Sequence, residues 1–166
     1  MTIMGNASTG YAKGGHLRYL RAMNSNNQLR HPLITEHAAL CGQLEVLKFL
    51  KENWKLYCYS PNISAYAARG GHIEILQWFK DSGYEWTKDA TKAAAKAGKL
   101  DTLKYLRANR CEWSKSACKG PVEIGDLETL KWMIENGCEW DLCLCENAVY
   151  FGHFEMAKWL REQGAI

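Results

Sequence analysis

The sequence predicts an all-α solenoid of about six helix-turn-helix repeats with short connecting loops. One glycine recurs at intervals of 27, 29, 27, 27 and 27 residues, with an alanine-rich segment before it and an apolar stripe after it. A fixed period in the twenties indicates a stack of small repeats that bury their apolar faces against one another. We call these residues the repeat glycines: Gly15, Gly42, Gly71, Gly98, Gly125 and Gly152.

The segment after each repeat glycine is predicted to be the second helix of its unit. Apolar residues stand two, five and eight positions past the glycine, as in Leu44, Leu47 and Leu50. This spacing marks one face of an amphipathic helix. Acidic residues in the first turn and basic residues near the last complement the helix dipole. We expect a second, left-handed glycine twelve positions on to close the helix. These glycines are Gly83, Gly137 and Gly164.

The segment before each repeat glycine is predicted to be a shorter first helix. It carries an alanine pair at a fixed register, as in Ala67 and Ala68. Alanine propagates a helix and lets neighbouring helices approach closely. Eleven positions before the glycine, most units carry a residue that favours helix N-caps. The predicted N-cap positions are His31, Ser60, Thr87, Ser114 and Asp141.

The repeats are predicted to form a single array. Its units span approximately residues 1–29, 30–58, 59–85, 86–112, 113–139 and 140–166. The second unit has two extra residues near Trp54 to Tyr57, and the fifth has Pro121 and Val122 in place of the alanine pair. Proline inside a helix removes a hydrogen bond at a cost of about 3 kcal/mol. We therefore expect a broken or shortened helix around Pro121, either as a functional kink or as drift that a solenoid tolerates.

These residues resemble a known family. The alanine pair followed by a glycine turn and a helix such as His-Ile-Glu-Ile-Leu resembles the ankyrin repeat, best matched over Ala67 to Gly83 and Ala38 to Asn53. The usual ankyrin unit has about 33 residues, and the shortfall would fall in the connecting β-turn segment. The loops that carry tryptophan and cysteine look like a short variant found in large DNA viruses and protists. The resemblance implies a protein-binding scaffold.

The composition is that of an ordinary soluble protein, with 47% hydrophobic and 23% charged residues. No apolar stretch reaches the roughly 18 residues of a membrane span. Residues 1–15 lack the basic start and apolar run of a signal peptide. We therefore expect an intracellular, cytoplasmic protein in a reducing compartment.

Seven cysteines raise the question of disulfides or a metal site. Cys111 and Cys138 hold the same place in consecutive units, as do Cys118 and Cys145. Equivalent residues of stacked helices lie about 8 to 10 Å apart, whereas a disulfide needs α-carbons within about 7 Å. Cys143 and Cys145, with Cys138 nearby, are the best metal candidates but lack a histidine at ligand spacing. We expect reduced, buried cysteines, no metal and no cofactor.

The histidines do not form a catalytic set. His16, His72 and His153 each follow a repeat glycine. The last two are three units apart, about 25 to 30 Å at helix-stacking distance, and cannot converge on one substrate. Catalysis needs a nucleophile or an acid-base pair in mutual reach, and no such set clusters in the sequence. We therefore expect a non-catalytic protein.

Aromatic residues recur seven positions past the repeat glycine, beside basic residues, a mixture that also occurs in stacking platforms for nucleic acid. They adjoin the apolar stripe, however, and lysines such as Lys48 have an acid three residues earlier, here Glu45, which favours core packing and solvated ion pairs. A net charge of +3 is too small to favour nucleic acid. A nucleic-acid-binding solenoid that uses its Lys, Arg and aromatic rows stays the alternative function.

The positions expected to face outward on the first helices lie two and six residues before each repeat glycine. In the middle units they are rich in lysine, and the ankyrin resemblance implies that a protein partner binds on this concave face with the turn tips. We expect an acidic partner, because charge complementarity gives orientation and association rate. The alternative is an ordinary solvated lysine surface. The basic strip consists of Arg69, Lys92, Lys96 and Lys119 at these positions, together with Lys88 and Lys115 near the starts of the first helices.

The last unit has no successor to cover its apolar stripe of Phe154, Trp159 and Leu160. Solenoids usually need polar capping repeats at their ends. We therefore expect either further repeats beyond this end or pairing of the exposed face with another chain.

Overall fold

The computed structural model describes residues 18, 32–54, 62–114 and 116–164. Within these ranges the chain forms five helical hairpins and no strand, so the predicted all-α solenoid is confirmed. The first predicted unit, apart from Arg18, lies outside the described residues. None of the described helices is long and apolar enough to cross a membrane, and the expected compartment stays a prediction.

Each hairpin consists of a first helix, a turn at the repeat glycine and a second helix. The odd-numbered helices below are the first helices and the even-numbered ones are the second helices. The described helices are α1 (Pro32–Leu40), α2 (Leu44–Trp54), α3 (Ile63–Gly70), α4 (Ile73–Asp81), α5 (Asp89–Lys96), α6 (Leu100–Ala108), α7 (Lys119–Ile124), α8 (Leu127–Glu135), α9 (Cys143–Tyr150) and α10 (Phe154–Glu162).

The first helices stack on one another along the solenoid. Helix α3 packs between α1 and α5, and α7 packs between α5 and α9, while each second helix packs on its own first helix. The small alanine pairs allow the close approach of the first helices, as the sequence predicts. The buried members of these pairs are Ala38, Ala39, Ala67, Ala68, Ala94, Ala95 and Ala148.

The second helices bury a broader face than the predicted stripe. Positions five and eight past the repeat glycine are fully buried, as in Leu103 and Leu106, whereas position two is half-buried, as in Leu100. Position four is buried as well, with Val46 and Ile75 as examples. A helix held between its own first helix and the adjacent repeats needs an apolar face wider than one three-residue row.

A left-handed glycine joins the two helices of each described hairpin, as predicted. The repeat glycines from Gly42 to Gly152 have φ angles between 63° and 83°. Gly83, Gly137 and Gly164 close the second helices with φ of 78° or more. In the fourth repeat Arg110 stands at this closing position with φ of 64°, the one non-glycine with positive φ among the described residues.

The predicted side-chain N-caps of the first helices are wrong where the structure describes them. Helices α5, α7 and α9 have no side-chain cap hydrogen bond. Thr87, Ser114 and Asp141 instead accept with their backbone carbonyls, from the N–H groups three residues on, at 2.9 to 3.0 Å. A tight i to i+3 turn thus starts each helix later than predicted. His31 and Ser60 lie outside the described residues.

In each of the two irregular units, one helix has an altered length. Helix α7 has six residues, against eight or nine in the other described first helices. Pro121 is its third residue, in the turn whose N–H groups have no partner within the helix, so α7 is shortened and not broken. Helix α2 has 11 residues, against nine in α4, so the second helix of this unit is longer by the two extra residues of its sequence. Residues 55–61 lie outside the description.

Candidate partner-binding surface

The basic strip lies on the exposed side of the first helices. Arg69 and Lys96 are in the last turns of α3 and α5, and Lys119 begins α7. The five described members of the strip are all exposed: Arg69, Lys88, Lys92, Lys96 and Lys119. Lys115 lies outside the described residues.

An open groove of about 680 Å³ runs between α3 and α5. It brings together three residues of the basic strip, Arg69, Lys92 and Lys96. The small side chains of Ala65 and Ala93, from facing helices, also line it. Because alanines stand between long basic residues, the two helices leave a hollow at this place.

The groove is positively charged. Three cations line it against one carboxylate, that of Asp89. Lys96 also forms a 2.7 Å ion pair with Glu123 of α7. The side chains of Lys96 and Glu123 are 61% and 38% exposed, so this pair contributes only about 0 to 1 kcal/mol and leaves Lys96 available to another anionic partner. Among the described residues no carboxylate lies within ion-pair distance of Lys92. The groove is therefore suited to an anionic ligand group.

Tyr66 is a groove residue that the sequence interpretation did not single out. Its hydroxyl donates a hydrogen bond to Glu36 of α1, and this bond, with partial burial, raises the pKa of Tyr66 above its ordinary value. The phenol stays neutral at physiological pH and adds apolar area with a polar edge beside Arg69. The feature of the sequence that indicates Tyr66 is an aromatic residue at the register where the next unit has Ala93.

The aromatic row seven positions past the repeat glycines packs against the core, and so do the tryptophans in the loops between repeats, Trp86 and Trp113. Trp86 is half-buried, and its indole N–H donates to the Leu76 carbonyl at 3.1 Å. Trp113 is likewise half-buried, with the Arg107 guanidinium 4.6 Å from its ring centroid. These rings are therefore engaged by the protein itself. The arrangement favours the packing interpretation over stacking platforms for nucleic acid.

The two described histidines that follow a repeat glycine, His72 and His153, contact the preceding repeat. Nε2 of His72 is 3.0 Å from the Leu40 carbonyl, and its ring lies beside Gly42. His153 lies in the same way beside Gly125. Their place is thus an interface between units. His16 lies outside the described residues.

The cysteines of the metal hypothesis do not come together. Cys143 is exposed, Cys145 is buried with its sulfur 3.6 Å from the Ala157 carbonyl, and Cys138 lies against Cys118. No group of three or more metal-ligating side chains occurs in the part of the chain that the structure describes. Cys118 and Cys138 lie within one unit, so their contact does not follow from the distance between equivalent positions of different units.

The end of the described array exposes a different apolar set from the predicted one. Phe154 is 68% exposed and Trp159 is half-buried, but Leu160 is completely buried, so its expected exposure is wrong. Its position corresponds to the fully buried Met133 of the previous repeat, where the first and second helices of one hairpin face each other. The exposed large apolar residues here are Leu142, Val149, Tyr150, Phe151 and Phe154.

Comparison with known proteins supports one family. Residues 115–161 match a family model described as ankyrin repeats in many copies. The matched segment includes α7 to α9 and most of α10. No curated protein matches the chain. Ankyrin repeats are in general protein-interaction modules and typically have no enzymatic activity.

Proposed function

This chain carries ankyrin repeats, and on that premise we propose that it is a non-catalytic protein-interaction scaffold or adaptor that binds an acidic segment of its partner on the basic strip. The observation that carries the proposal is the groove between α3 and α5, where Arg69, Lys92 and Lys96 converge. Lys88 and Lys119 extend the positive surface beyond the groove, and Lys115 is assigned to it by sequence register.

The chemistry of the groove favours a carboxylate-rich peptide. Arg69 offers a planar, forked donor that matches a carboxylate in two contacts. Lys92 and Lys96 offer point charges one helical turn apart along α5. Exposed charges of this kind steer an oppositely charged partner and set its orientation. Because exposed charges are screened beyond about 8 Å at physiological salt, the contact is expected to weaken as the salt concentration rises.

The alternative is a solenoid that binds nucleic acid. It needs aromatic faces free to stack on bases and an affinity that falls steeply with salt. Trp86 and Trp113 are half-buried and each lies under a basic side chain. These contacts support the protein-binding proposal over the alternative.

A binding comparison with two labelled peptides of equal length tests the proposal, one rich in Glu and Asp and the other in Gln and Asn. Fluorescence anisotropy with the full chain is expected to show binding of the acidic peptide only. The double variant K92E/K96E should weaken that binding by about tenfold or more, equivalent to about 1.4 kcal/mol.

The matched control is K104E/K158E, which makes the same change of charge at two exposed lysines on second helices. It should leave the affinity for the acidic peptide nearly unchanged. An equal loss in both variants would mean that net charge alone governs binding and would contradict the assignment of the groove. Tighter binding of a single-stranded oligonucleotide, with a steep salt dependence, would favour the alternative.

A further inference from the structure

The side chains of two buried cysteines in the fifth repeat are in contact. Cys118 immediately precedes α7, and Cys138 follows Gly137, the residue that closes α8. They are 3% and 4% exposed. The two sulfur atoms are 2.7 Å apart, with Cys118 donating to Cys138. The hairpin therefore brings together two thiols that are 20 residues apart in sequence.

In the third and fourth repeats, the residue at the position of Cys118 makes a different hydrogen bond. Seven residues before the repeat glycine stands a buried hydroxyl, which accepts a backbone N–H from the next repeat. Ser64 accepts from Thr87 at 3.3 Å, and Thr91 accepts from Ser114 at 3.2 Å. In the fifth repeat this hydroxyl is replaced by the Cys118 thiol, and its hydrogen bond goes to Cys138 within the same repeat.

The neighbouring repeats have one cysteine of the pair each. The fourth repeat has Cys111 at the position of Cys138, with Thr91 at the position of Cys118. The last repeat has Cys145 at the position of Cys118, with Ala165 at the other position. Among the repeats that the structure describes, the fifth alone carries both thiols. The pair is therefore not a consequence of the repeat pattern.

We propose that Cys118 and Cys138 are a redox modification site that closes reversibly to a disulfide. A small peroxide is the chemical class of oxidant, because both sulfurs are nearly inaccessible to larger reagents. The Cys138 sulfur attacks one peroxide oxygen, the O–O bond breaks, and a sulfenic acid and one water form. The Cys118 sulfur then displaces the hydroxyl from Cys138 and forms the S–S bond, and a second water leaves. Two thiols and one hydrogen peroxide thus give one disulfide and two waters.

The surroundings assign the two roles. The hydrogen bond from Cys118 lowers the pKa of Cys138, and the positive charge of Arg107 acts in the same direction. The same hydrogen bond, with burial, raises the pKa of Cys118. Because the thiolate is the nucleophile, Cys138 is the attacking sulfur and Cys118 is the resolving thiol.

The bond would fasten the start of α7 to the end of α8. Helix α7 is the shortest described helix and contains Pro121 and Gly120. Its first residue is Lys119, and its Glu123 pairs with Lys96 at the groove. The oxidised pair would therefore fix one end of the basic strip, a consequence that rests on the proposed function, whereas formation of the bond does not.

The test uses the full chain, fully reduced and then freed of reductant. After brief exposure of the folded protein to hydrogen peroxide, free thiols are alkylated under denaturing conditions and counted by intact mass. Five of the seven cysteines should be alkylated, and the mass of the protein should fall by two hydrogen atoms before alkylation. Peptide mapping should find Cys118 joined to Cys138, and a thiol reductant should restore seven alkylated residues.

Register-matched variants provide the controls. C118S and C138S should each abolish the cross-link, whereas C111S and C145S, at the equivalent positions of the neighbouring repeats, should keep it. The oxidised wild type should also melt several degrees above the reduced wild type, because a closed loop restricts the unfolded chain. This measurement does not depend on whether a variant folds.

Three results would overturn the proposal. The first is seven alkylated cysteines after peroxide treatment of the folded wild type. The second is stable sulfinic acid on Cys138 without a cross-link. The third is a mixture of pairings in which the bond between Cys118 and Cys138 does not predominate.

Discussion

The imidazole ring of His153 occupies the space into which a β-carbon of Gly125 would point, one repeat earlier. A β-carbon at Gly125 would lie 2.6 Å from Cε1 of His153. The same relationship joins His72 to Gly42. The repeat glycine therefore has two functions. It forms the left-handed turn of its own repeat, and it makes room for a side chain of the next repeat.

Replacement of Gly125 by alanine is expected to destabilise the protein in two ways. The φ of 77° costs a residue with a β-carbon about 1 to 2 kcal/mol. Displacement of the His153 ring should add about 1 kcal/mol or more. Urea unfolding of G125A and of the control G152A separates the two costs, because Gly152 has φ of 80° but no atom within 4 Å of the added carbon. Equal losses in both variants would rule out the ring contact as a source of stability.

Even an alanine at the position of Gly120 is predicted to destabilise the protein. A β-carbon there would lie 2.6 Å from the Lys96 α-carbon and 2.7 Å from its nitrogen, and backbone atoms cannot rotate aside. Helix propensity favours alanine over glycine by at most about 1 kcal/mol, whereas overpacking costs about 1 to 3 kcal/mol. We expect G120A to lower the free energy of unfolding, measured in urea. N147A, at the same register of the last repeat, should change it by less than about 0.5 kcal/mol. A more stable G120A would contradict the close contact.

Replacement of Arg110 by glycine is expected to stabilise the protein. The φ of 64° at Arg110 is the left-handed conformation that glycine adopts in the closing turns at Gly83, Gly137 and Gly164. Relief of this cost, about 1 to 2 kcal/mol, is partly offset by the greater freedom of glycine in the unfolded chain, about 0.5 to 1 kcal/mol. R110G should therefore raise the free energy of unfolding by up to about 1 kcal/mol. R110A keeps the β-carbon and is expected to gain nothing, so a similar gain in both variants would point to loss of charge as the cause.

Cys111 is expected to make stability depend on pH in the alkaline range. Burial raises the pKa of this thiol to about 11 from an ordinary 9.0. Below pH 9 the thiol is protonated in both states, and its contribution is fully present. As the pH rises from about 9 to about 11, the unfolded state loses the proton first, so stability falls, by roughly 2 to 3 kcal/mol in total.

The pH dependence is measured as the difference in unfolding free energy between the wild type and C111A from pH 8 to pH 11. The difference should shrink as the pH rises, because the alanine variant has no proton to lose at this position. C143A is the control, since Cys143 is exposed. A constant difference between wild type and C111A would show that Cys111 does not titrate as described.

The sequence predicts the parts of this fold that depend on local spacing. The repeat glycines, the alanine pairs and the shortened helix at Pro121 follow from backbone preference and helical periodicity, and the structure contains them. The helix starts near Thr87 and Ser114 were placed wrongly, because a backbone carbonyl starts a helical turn as well as a side-chain cap does. Exposure of Lys92 and Lys96 was predictable from register.

Features that depend on neighbours in space could not be predicted in this way. The groove beside Tyr66 requires the distance between α3 and α5. The contact of Cys118 with Cys138 requires the closing angle of a hairpin, which the spacing of single residues does not specify. The contact of His153 with Gly125 likewise needs the offset between adjacent repeats.

The contact between each repeat and the preceding glycine gives the array a modular structure. Removal of residues 99–125, one full period of 27 residues, would join Gly98 directly to Asp126. Asp126 would then take the place of Lys99, whose side chain now lies against Gly71. The helices would keep partners of equivalent register, with Asn147 in the place of Gly120 beside the Lys96 backbone. Such an array can lose or duplicate whole units where the residues that meet at the new interface fit, so its length can change more readily than its internal sequence spacing.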